Sequence, residues 1–167
     1  MALEIIREDI TRVKADAIVN PTDEYYTGLG GTDGRIHEAA GIKLREECDK
    51  LSSLSAGECV TTGSFNMANC KYIIHTVGPV YSGKSSDCDM LRACYRNSLD
   101  LAKKADLHSI IFPAISTGAF GFPAKIAAEI AYDTIAEWQK ENSKYKMQVA
   151  LCAYDDRMYQ LYKQVAA

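Results

Sequence analysis

The chain has 167 residues, of which 47 % are hydrophobic and 25 % are charged, proportions typical of a single globular domain over residues 1–167. Its formal net charge of −3 argues against a broad basic surface for DNA or RNA, but not against one nucleotide bound in a pocket. The sequence contains no apolar run of transmembrane length and does not begin with a signal-peptide pattern, so we expect a cytoplasmic protein without a membrane partner.

Strand-like and helix-like segments alternate along the chain. Strands are predicted at 3–7, 17–19, 58–62, 72–77, 109–113 and 147–153, and helices at 32–40, 87–105, 123–141 and 155–165. The runs 72–74 and 110–112 are continuously apolar, which is typical of strands covered on both faces. This alternation predicts an α/β sheet between helical layers, in which ligands bind at the carboxyl ends of strands.

The first glycine-rich stretch, GLGGTDG at 28–34, lies at the start of a predicted helix that Thr32 is expected to cap. A helix N-terminus attracts phosphate through its unpaired N–H groups and partial positive charge. Asp33 and His37 are four residues apart and therefore share one helix face. The same stretch is equally compatible with a tight turn in which Asp33 only stabilises the helix end.

The second glycine-rich stretch, STGAFGFP at 116–123, follows the apolar run 110–112 and precedes another predicted helix. That position is typical of a phosphate-binding loop. Phe120 is suited to stacking on a sugar or a base, although it could instead fold back onto the core. We interpret the two glycine-rich stretches as binding one ligand that carries phosphates.

Other polar or aromatic residues follow predicted strands. Asp9 follows the first strand, Asn20 and Asp23 follow the apolar part of the second, and Tyr154 follows the last. Each could contact a sugar or a base, but the polar ones are also common in turns and Tyr154 could be a packing residue. His75 lies inside an apolar strand and is predicted to be a buried structural residue.

Six cysteines form no C-x-x-C pair and do not cluster with the three histidines. We therefore expect free, mostly buried thiols rather than disulfides or a metal site.

Together the motifs resemble the macrodomain family, which binds ADP-ribose, and within it the MacroD-type branch. They occur in the family's order, and the likeness covers nearly the whole chain: EDIT, AIVNPTD, GGTDGRIHEAAG, IIHTVGP and FPAISTGAFGFP. The resemblance implies a three-layer α/β/α macrodomain fold around a mixed sheet of six or seven strands.

The resemblance also implies which residues bind the ligand. Asp9 matches the aspartate that accepts a hydrogen bond from the adenine amine, and Tyr154 falls where an aromatic residue packs near adenine. The second glycine-rich loop should wrap the diphosphate, with Phe120 against the distal ribose. The implied ligand-binding residues are Asp9, Ile10, Asn20, Gly30, Gly31, Thr32, Ser116, Thr117, Gly118, Ala119, Phe120, Gly121 and Tyr154.

The activity that the resemblance implies is hydrolysis without a metal or other cofactor. Similar proteins release ADP-ribose from modified aspartate or glutamate side chains and deacetylate O-acetyl-ADP-ribose. The implied substrates are therefore ADP-ribosylated proteins or O-acetyl-ADP-ribose, with nucleic acid only if it is ADP-ribosylated. Two alternatives stay open, which are a reader that binds ADP-ribose without turnover and an ADP-ribose 1″-phosphate phosphatase.

Asp33 matches the aspartate that MacroD-type enzymes need for hydrolysis, and it could orient or deprotonate a water beside the distal ribose. Asn20 matches the first asparagine of the family's Asn-Ala-Ala-Asn pattern, and His37 lies one helical turn after Asp33. Together with Asp23 these are the expected catalytic residues.

Two residues depart from the family pattern. Asp23 stands where the family has its second asparagine, and an ionised aspartate only accepts hydrogen bonds. Two neighbouring carboxylates at Asp23 and Asp33 would raise the apparent pKa of one of them. Leu29 interrupts a run that is usually all glycine. We expect both departures to affect the rate of hydrolysis more than the binding of ADP-ribose.

Overall fold

Within residues 3–167, which a computed structural model describes, strands and helices alternate as the sequence predicts. The strands are β1 Leu3–Arg7, β2 Ala17–Thr22, β3 Cys59–Gly63, β4 Tyr72–Val77, β5 Ser109–Phe112 and β6 Gln148–Ala153. The helices are α1 Gly31–Ala40, α2 Ile42–Cys48, α3 Ser85–Lys104, α4 Ala124–Glu141 and α5 Asp156–Ala166, with a 3₁₀ turn at Ile10–Arg12.

The sheet of the described residues has six strands in the order β1-β6-β5-β2-β4-β3. Strand β3 runs antiparallel to β4, and the other neighbouring pairs are parallel. The expected mixed sheet is therefore confirmed, with six strands rather than seven.

Side chains of the central strands alternate between two hydrophobic cores. On β2, Ala17 and Val19 face one core while Ile18 faces the other, and all three are fully buried. The first core contains residues of α3, α4 and α5, and the second contains residues of α1 and α2. Helices thus cover both faces of the sheet, which explains why its central strands read as continuous apolar runs.

Helix α1 begins one residue earlier than predicted. Its N-cap is Gly30, with φ +72° and no side-chain cap, so the expectation that Thr32 caps the helix is wrong. The Thr32 hydroxyl instead accepts a hydrogen bond from Nη2 of Arg35 at 3.1 Å. The backbone N–H groups of the first turn therefore stay free of a side-chain cap.

Helix α2 was not predicted from the sequence. It has only seven residues, and its buried side chains are Leu44 and Cys48. Such a short segment gives too few turns for a periodic apolar pattern to stand out.

All six cysteines are free, and four of them are buried, which confirms the expectation of free, mostly buried thiols. No helix within residues 3–167 is long and apolar enough to cross a membrane.

The topology brings four loops to one edge of the sheet. Strands β1, β6, β5 and β2 are parallel neighbours, so their carboxyl ends lie side by side. Both glycine-rich stretches follow strands of this group, at β2 and β5. The structure therefore places them next to each other, as a shared ligand requires.

Candidate functional site

Two joined cavities lie at the carboxyl edge of the sheet. The first, here the β6-side cavity, has a volume of about 290 Å³ and is lined by Glu8, Ile10, Arg35, Tyr154 and Arg157 among others. The second, here the β2-side cavity, has a volume of about 330 Å³ and is lined by residues that include Thr22, Asp23, Leu29, Asp33, Ser116 and Phe120. Both cavities share Gly31, Thr32, Ala114 and Gly118, so together they form one elongated cleft.

Glycine backbone forms the middle of this cleft. Gly30 and Gly31 have φ angles of +72° and +56°, which residues other than glycine rarely adopt. A Cβ atom at Gly30, Gly31 or Gly118 would meet no atom within 4 Å, as expected where backbone faces open space. The N-terminus of α1 therefore presents uncovered N–H groups to the cleft, an arrangement that binds anions.

The loop after β5 is held in shape by its own hydrogen bonds. Phe122 N–H donates to Ser116 O at 2.9 Å, and Gly121 N–H donates to Gly118 O at 3.0 Å. Ser116 has a φ of +65°, a strained conformation that tends to occur at functional sites.

The expected diphosphate loop mostly lines the cleft. Ser116, Gly118, Ala119 and Phe120 line the β2-side cavity, Thr117 lines the β6-side cavity, and Gly121 lines neither.

Asp33 lies at the inner end of the β2-side cavity, and only 7 % of its surface is exposed. Its Oδ1 accepts a hydrogen bond from Asn20 Nδ2 at 2.8 Å. Its Oδ2 accepts from Thr22 Oγ1 at 2.8 Å and from the Gly28 N–H at 3.0 Å. A carboxylate offers about four acceptor positions, so these three donors fix its orientation and leave about one position for another donor.

Asn20 lies behind Asp33 and is completely buried. It is not among the residues that line the cleft, so it reaches the cavity only through its hydrogen bond to Asp33. His75, the next polar side chain behind it, is also completely buried, which confirms its prediction as a buried residue.

His37 lies beside Asp33 behind the cavity lining, but its Nε2 has no hydrogen-bond partner among the described residues. Its Nε2 lies 3.4 Å from Asp33 Oδ1, and its side chain is 12 % exposed. Burial lowers the pKa of His37, although the charge of Asp33 favours the protonated form. The His37 ring packs so closely under Gly28 that a Cβ there would lie 2.7 Å from its Cγ.

Asp23 lines the β2-side cavity but is hydrogen-bonded to its own loop. Its carboxylate accepts from the N–H of Tyr25 at 3.0 Å and of Thr27 at 3.2 Å, and from the Thr27 hydroxyl. Burial alone would raise the pKa of Asp23, but these hydrogen bonds outweigh it and lower the pKa. The rise in pKa that two neighbouring carboxylates are expected to cause in one of them therefore does not occur at Asp23.

Leu29, the other departure from the family pattern, lies at the mouth of the β2-side cavity with 82 % of its surface exposed. An apolar side chain in this position remains available to cover a bound ligand.

On the other side of the cleft, Ile10 and Tyr154 line the β6-side cavity as expected, while Asp9 does not line either cavity. Oδ1 of Asp9 accepts from the backbone N–H and the hydroxyl of Thr11, at 3.0 and 2.7 Å, and so caps the 3₁₀ turn.

Sequence reasoning missed Arg35. Its guanidinium lies 3.9 Å from the centre of the Tyr154 ring, and both residues line the β6-side cavity. Its Nε is buried and has no hydrogen-bond partner in the described part of the chain. The sequence did contain a sign of its role. Arg35 is a cation in the first turns of a helix whose N-terminus is predicted to bind an anion.

The structure places no group of three or more His, Cys, Asp or Glu side chains of residues 3–167 in a position to hold a metal ion.

The Macro domain family model matches residues 19–131 of this chain. A macro domain-containing protein of Listeria monocytogenes is 39 % identical over 171 residues, which cover 99 % of this chain and 97 % of that protein. The ADP-ribose glycohydrolase MACROD1 of Rattus norvegicus is 39 % identical over 163 residues, which cover 95 % of this chain and 63 % of the rat protein. The chain thus matches less than two thirds of that enzyme's length.

Solved structures agree with the sequence relatives. The Oceanobacillus iheyensis macrodomain with ADP has a TM-score of 0.93 at 37 % identity, and the match covers 98 % of this chain and 89 % of that one. The Trypanosoma brucei macrodomain in complex with ADP-ribose also has a TM-score of 0.93, at 34 % identity, covering 99 % of this chain and 69 % of that one. In fold and in sequence the chain belongs to the macrodomain family.

Proposed function

We propose that this protein binds ADP-ribose and hydrolyses esters of it, releasing mono-ADP-ribose from aspartate or glutamate side chains of proteins, deacetylating O-acetyl-ADP-ribose, or both. The observation that carries the proposal is the carboxylate of Asp33, which three hydrogen bonds hold in a cavity beside an anion-binding helix terminus.

The shape and chemistry of the cleft suit ADP-ribose. The residues common to both cavities include Gly31 and Gly118, whose backbone would hold the diphosphate between the N-terminus of α1 and the loop after β5. Adenosine would then occupy the β6-side cavity near Tyr154, and the distal ribose would occupy the β2-side cavity near Phe120. Relatives of this chain include macrodomains solved with ADP and with ADP-ribose.

Hydrolysis requires one water beside the ester at the distal ribose. Water adds across the ester bond, so the ribose keeps a hydroxyl, the acyl side becomes a carboxylate, and one proton is released. Asp33 has about one acceptor position left, which suits it to receive a hydrogen bond from this water and orient it. The relationship to an ADP-ribose glycohydrolase supports hydrolysis as the reaction type.

One observation favours the alternative of a reader that does not turn ADP-ribose over. Three of the four acceptor positions of Asp33 are already occupied within the protein, so the residue serves a purely structural role unless a water reaches the fourth.

Substrate turnover and ligand affinity together distinguish the two functions. The protein is incubated with a target mono-ADP-ribosylated on glutamate, and separately with O-acetyl-ADP-ribose, while free ADP-ribose is followed and its affinity is measured by calorimetry. Release that is lost in Asp33→Ala but kept in Asp89→Ala, an exposed carboxylate on α3, supports the hydrolase. Binding of ADP-ribose without release from either substrate supports the reader.

A further inference from the structure

A chain of buried polar side chains continues from Asp33 into the sheet. Asn20 on β2 and His75 on β4 are paired in the sheet register, and Thr62 lies on the neighbouring strand β3. Asn20 and His75 are completely buried, and Thr62 is 6 % exposed. None of the three lines the cleft, so their contacts are within the protein.

Hydrogen bonds connect these side chains in series, although Asn20 Oδ1 has no partner among the described residues. Asn20 Nδ2 lies 2.8 Å from Asp33 Oδ1 and 3.0 Å from His75 Nδ1, so its two protons can serve both. An amide nitrogen only donates, and His75 Nδ1 must therefore be the unprotonated acceptor. The ring proton then lies on Nε2, which donates to Thr62 Oγ1 at 2.8 Å. The Thr62 hydroxyl in turn donates a hydrogen bond to Gly63 O at 3.0 Å.

The imidazole stays neutral and fixed in this arrangement. Burial lowers the pKa of His75 to about 3, so the ring carries a single N–H and one of its nitrogens keeps a lone pair. The ring of Tyr26 packs edge-on against His75, with 5.9 Å between ring centroids. Hydrogen bonding at both ring nitrogens and the Tyr26 contact leave the imidazole one orientation.

This orientation of the imidazole and the Asp33 carboxylate both favour the Asn20 amide with its NH₂ toward Asp33. A rotated amide would bring its oxygen against the Asp33 carboxylate and the His75 lone pair, which are both acceptors. With His75 in place, the amide NH₂ is selected and donates to Asp33. Without an acceptor at the Nδ1 position, this selection is weakened and Asp33 loses part of its support.

We propose that His75 is a positioning residue for the reaction at Asp33: its Nδ1 holds the Asn20 amide in the orientation that fixes the Asp33 carboxylate toward the β2-side cavity. This inference rests on the proposed hydrolase function. It extends the catalytic support from the cleft to a residue that no substrate atom reaches.

A set of three variants tests the proposal. His75→Leu removes the acceptor, and His75→Asn can return an acceptor oxygen near the Nδ1 position. Thr76→Val is the matched control, because Thr76 is equally buried on the same strand and its hydroxyl donates to Glu58 O at 2.9 Å, away from Asn20. For each variant, kcat for ADP-ribose release, the Kd for ADP-ribose and the melting temperature are measured.

We expect His75→Leu to lower kcat by about two- to tenfold, the range for losing one hydrogen bond between neutral groups, with the Kd for ADP-ribose nearly unchanged. His75→Asn should recover most of the loss, and Thr76→Val should lower only the melting temperature. A kcat in His75→Leu no lower than in Thr76→Val would overturn the proposal. So would equal losses in kcat and affinity, because those would indicate general damage to the fold.

A second measurement is needed in two cases. In the first, wild-type protein releases no ADP-ribose, which would refute the hydrolase; in the second, His75→Leu does not fold. Long-range ¹H–¹⁵N NMR of wild-type protein reports which ring nitrogen of His75 carries the proton. A neutral ring protonated at Nε2 supports the positioning of Asn20. A ring protonated at Nδ1 overturns it, whatever the activity.

Discussion

Thr22, the last residue of β2, donates its hydroxyl to Oδ2 of Asp33 at 2.8 Å, across the loop that carries the first glycine-rich stretch. This bond ties the end of a central strand to the first turn of α1. The strand is held by two neighbours in the sheet, so it provides a rigid support for the carboxylate. Asp33 is thus positioned by the sheet as well as by its own helix.

Replacing Thr22 tests that support. Thr22→Val keeps the side-chain shape but removes the donor, so we expect kcat for ADP-ribose release to fall by about tenfold, with little change in the Kd for ADP-ribose. Thr22→Ser keeps the hydroxyl and serves as the control. An unchanged kcat in Thr22→Val would show that Asn20 and Gly28 alone suffice to orient Asp33.

Gly28 is expected to tolerate no side chain. Its φ is +68°, and a Cβ would lie 2.7 Å from Cγ of His37, so Gly28→Ala combines backbone strain with a steric clash. Gly83→Ala is the matched control, because Gly83 has a φ of +84° but no atom within 4 Å of an added Cβ. Strain alone costs about 1–2 kcal/mol, and we expect Gly28→Ala to lose more free energy of unfolding than Gly83→Ala. Equal losses in chemical denaturation would argue against the clash.

Asp23 is expected to affect turnover more than binding. Asp23→Asn weakens the hydrogen bonds that order the loop from residue 23 to Gly28, whose N–H donates to Asp33. We therefore expect kcat to fall by about two- to tenfold, as for weakening one ordinary hydrogen bond, while calorimetry finds a nearly unchanged Kd for ADP-ribose. Equal kinetics in wild-type protein and Asp23→Asn would show that this departure from the family pattern has no effect on function.

The lowered pKa values of the buried histidines should make the free energy of unfolding depend on pH. The pKa of His75 is lowered to about 3 in the fold, whereas the unfolded chain protonates it near its ordinary 6.5. The unfolded state therefore binds more protons than the folded state between these two pH values. The contribution of His75 to the free energy of unfolding is complete above pH 6.5 and decreases as the pH drops toward 3. One such group contributes a slope of about 1.4 kcal/mol per pH unit, and the lowered pKa of His37 acts in the same direction.

Urea denaturation at pH 7, 6 and 5 measures this slope. In His75→Asn the free energy of unfolding should depend less on pH than in wild-type protein, so the difference between the two proteins narrows on acidification. Parallel pH profiles would mean that His75 is not neutral in the fold.

Much of the fold was predictable because apolar runs identify strands that are covered on both faces. The predicted strand at 17–19 stopped too early, since β2 continues through Asn20, Pro21 and Thr22, which pair with residues of β4. Polar residues and a proline interrupt the apolar pattern there because this end of the strand supports Asp33 rather than the core. The contribution of Thr22 to the site was hidden for the same reason.

Other parts of the site depended on distant contacts. Nothing in the spacing of Asn20 and His75 indicates that they are neighbours, because the register between β2 and β4 brings them together across more than fifty residues. Arg35 was missed because its contact with Tyr154 joins α1 to the end of β6. Motifs predicted where the glycine-rich stretches lie, since the conformation of such loops depends on local sequence.

The most direct test of the account is the release of ADP-ribose from a glutamate-linked substrate by wild-type protein and by Asp33→Asn under single-turnover conditions, with the Kd for ADP-ribose measured in parallel. We predict that release falls by at least about a hundredfold in Asp33→Asn, the size of effect expected for a group that handles the reacting water, while the Kd stays within about threefold. Release that persists in Asp33→Asn at the wild-type rate, or that falls only in step with the affinity, would contradict it.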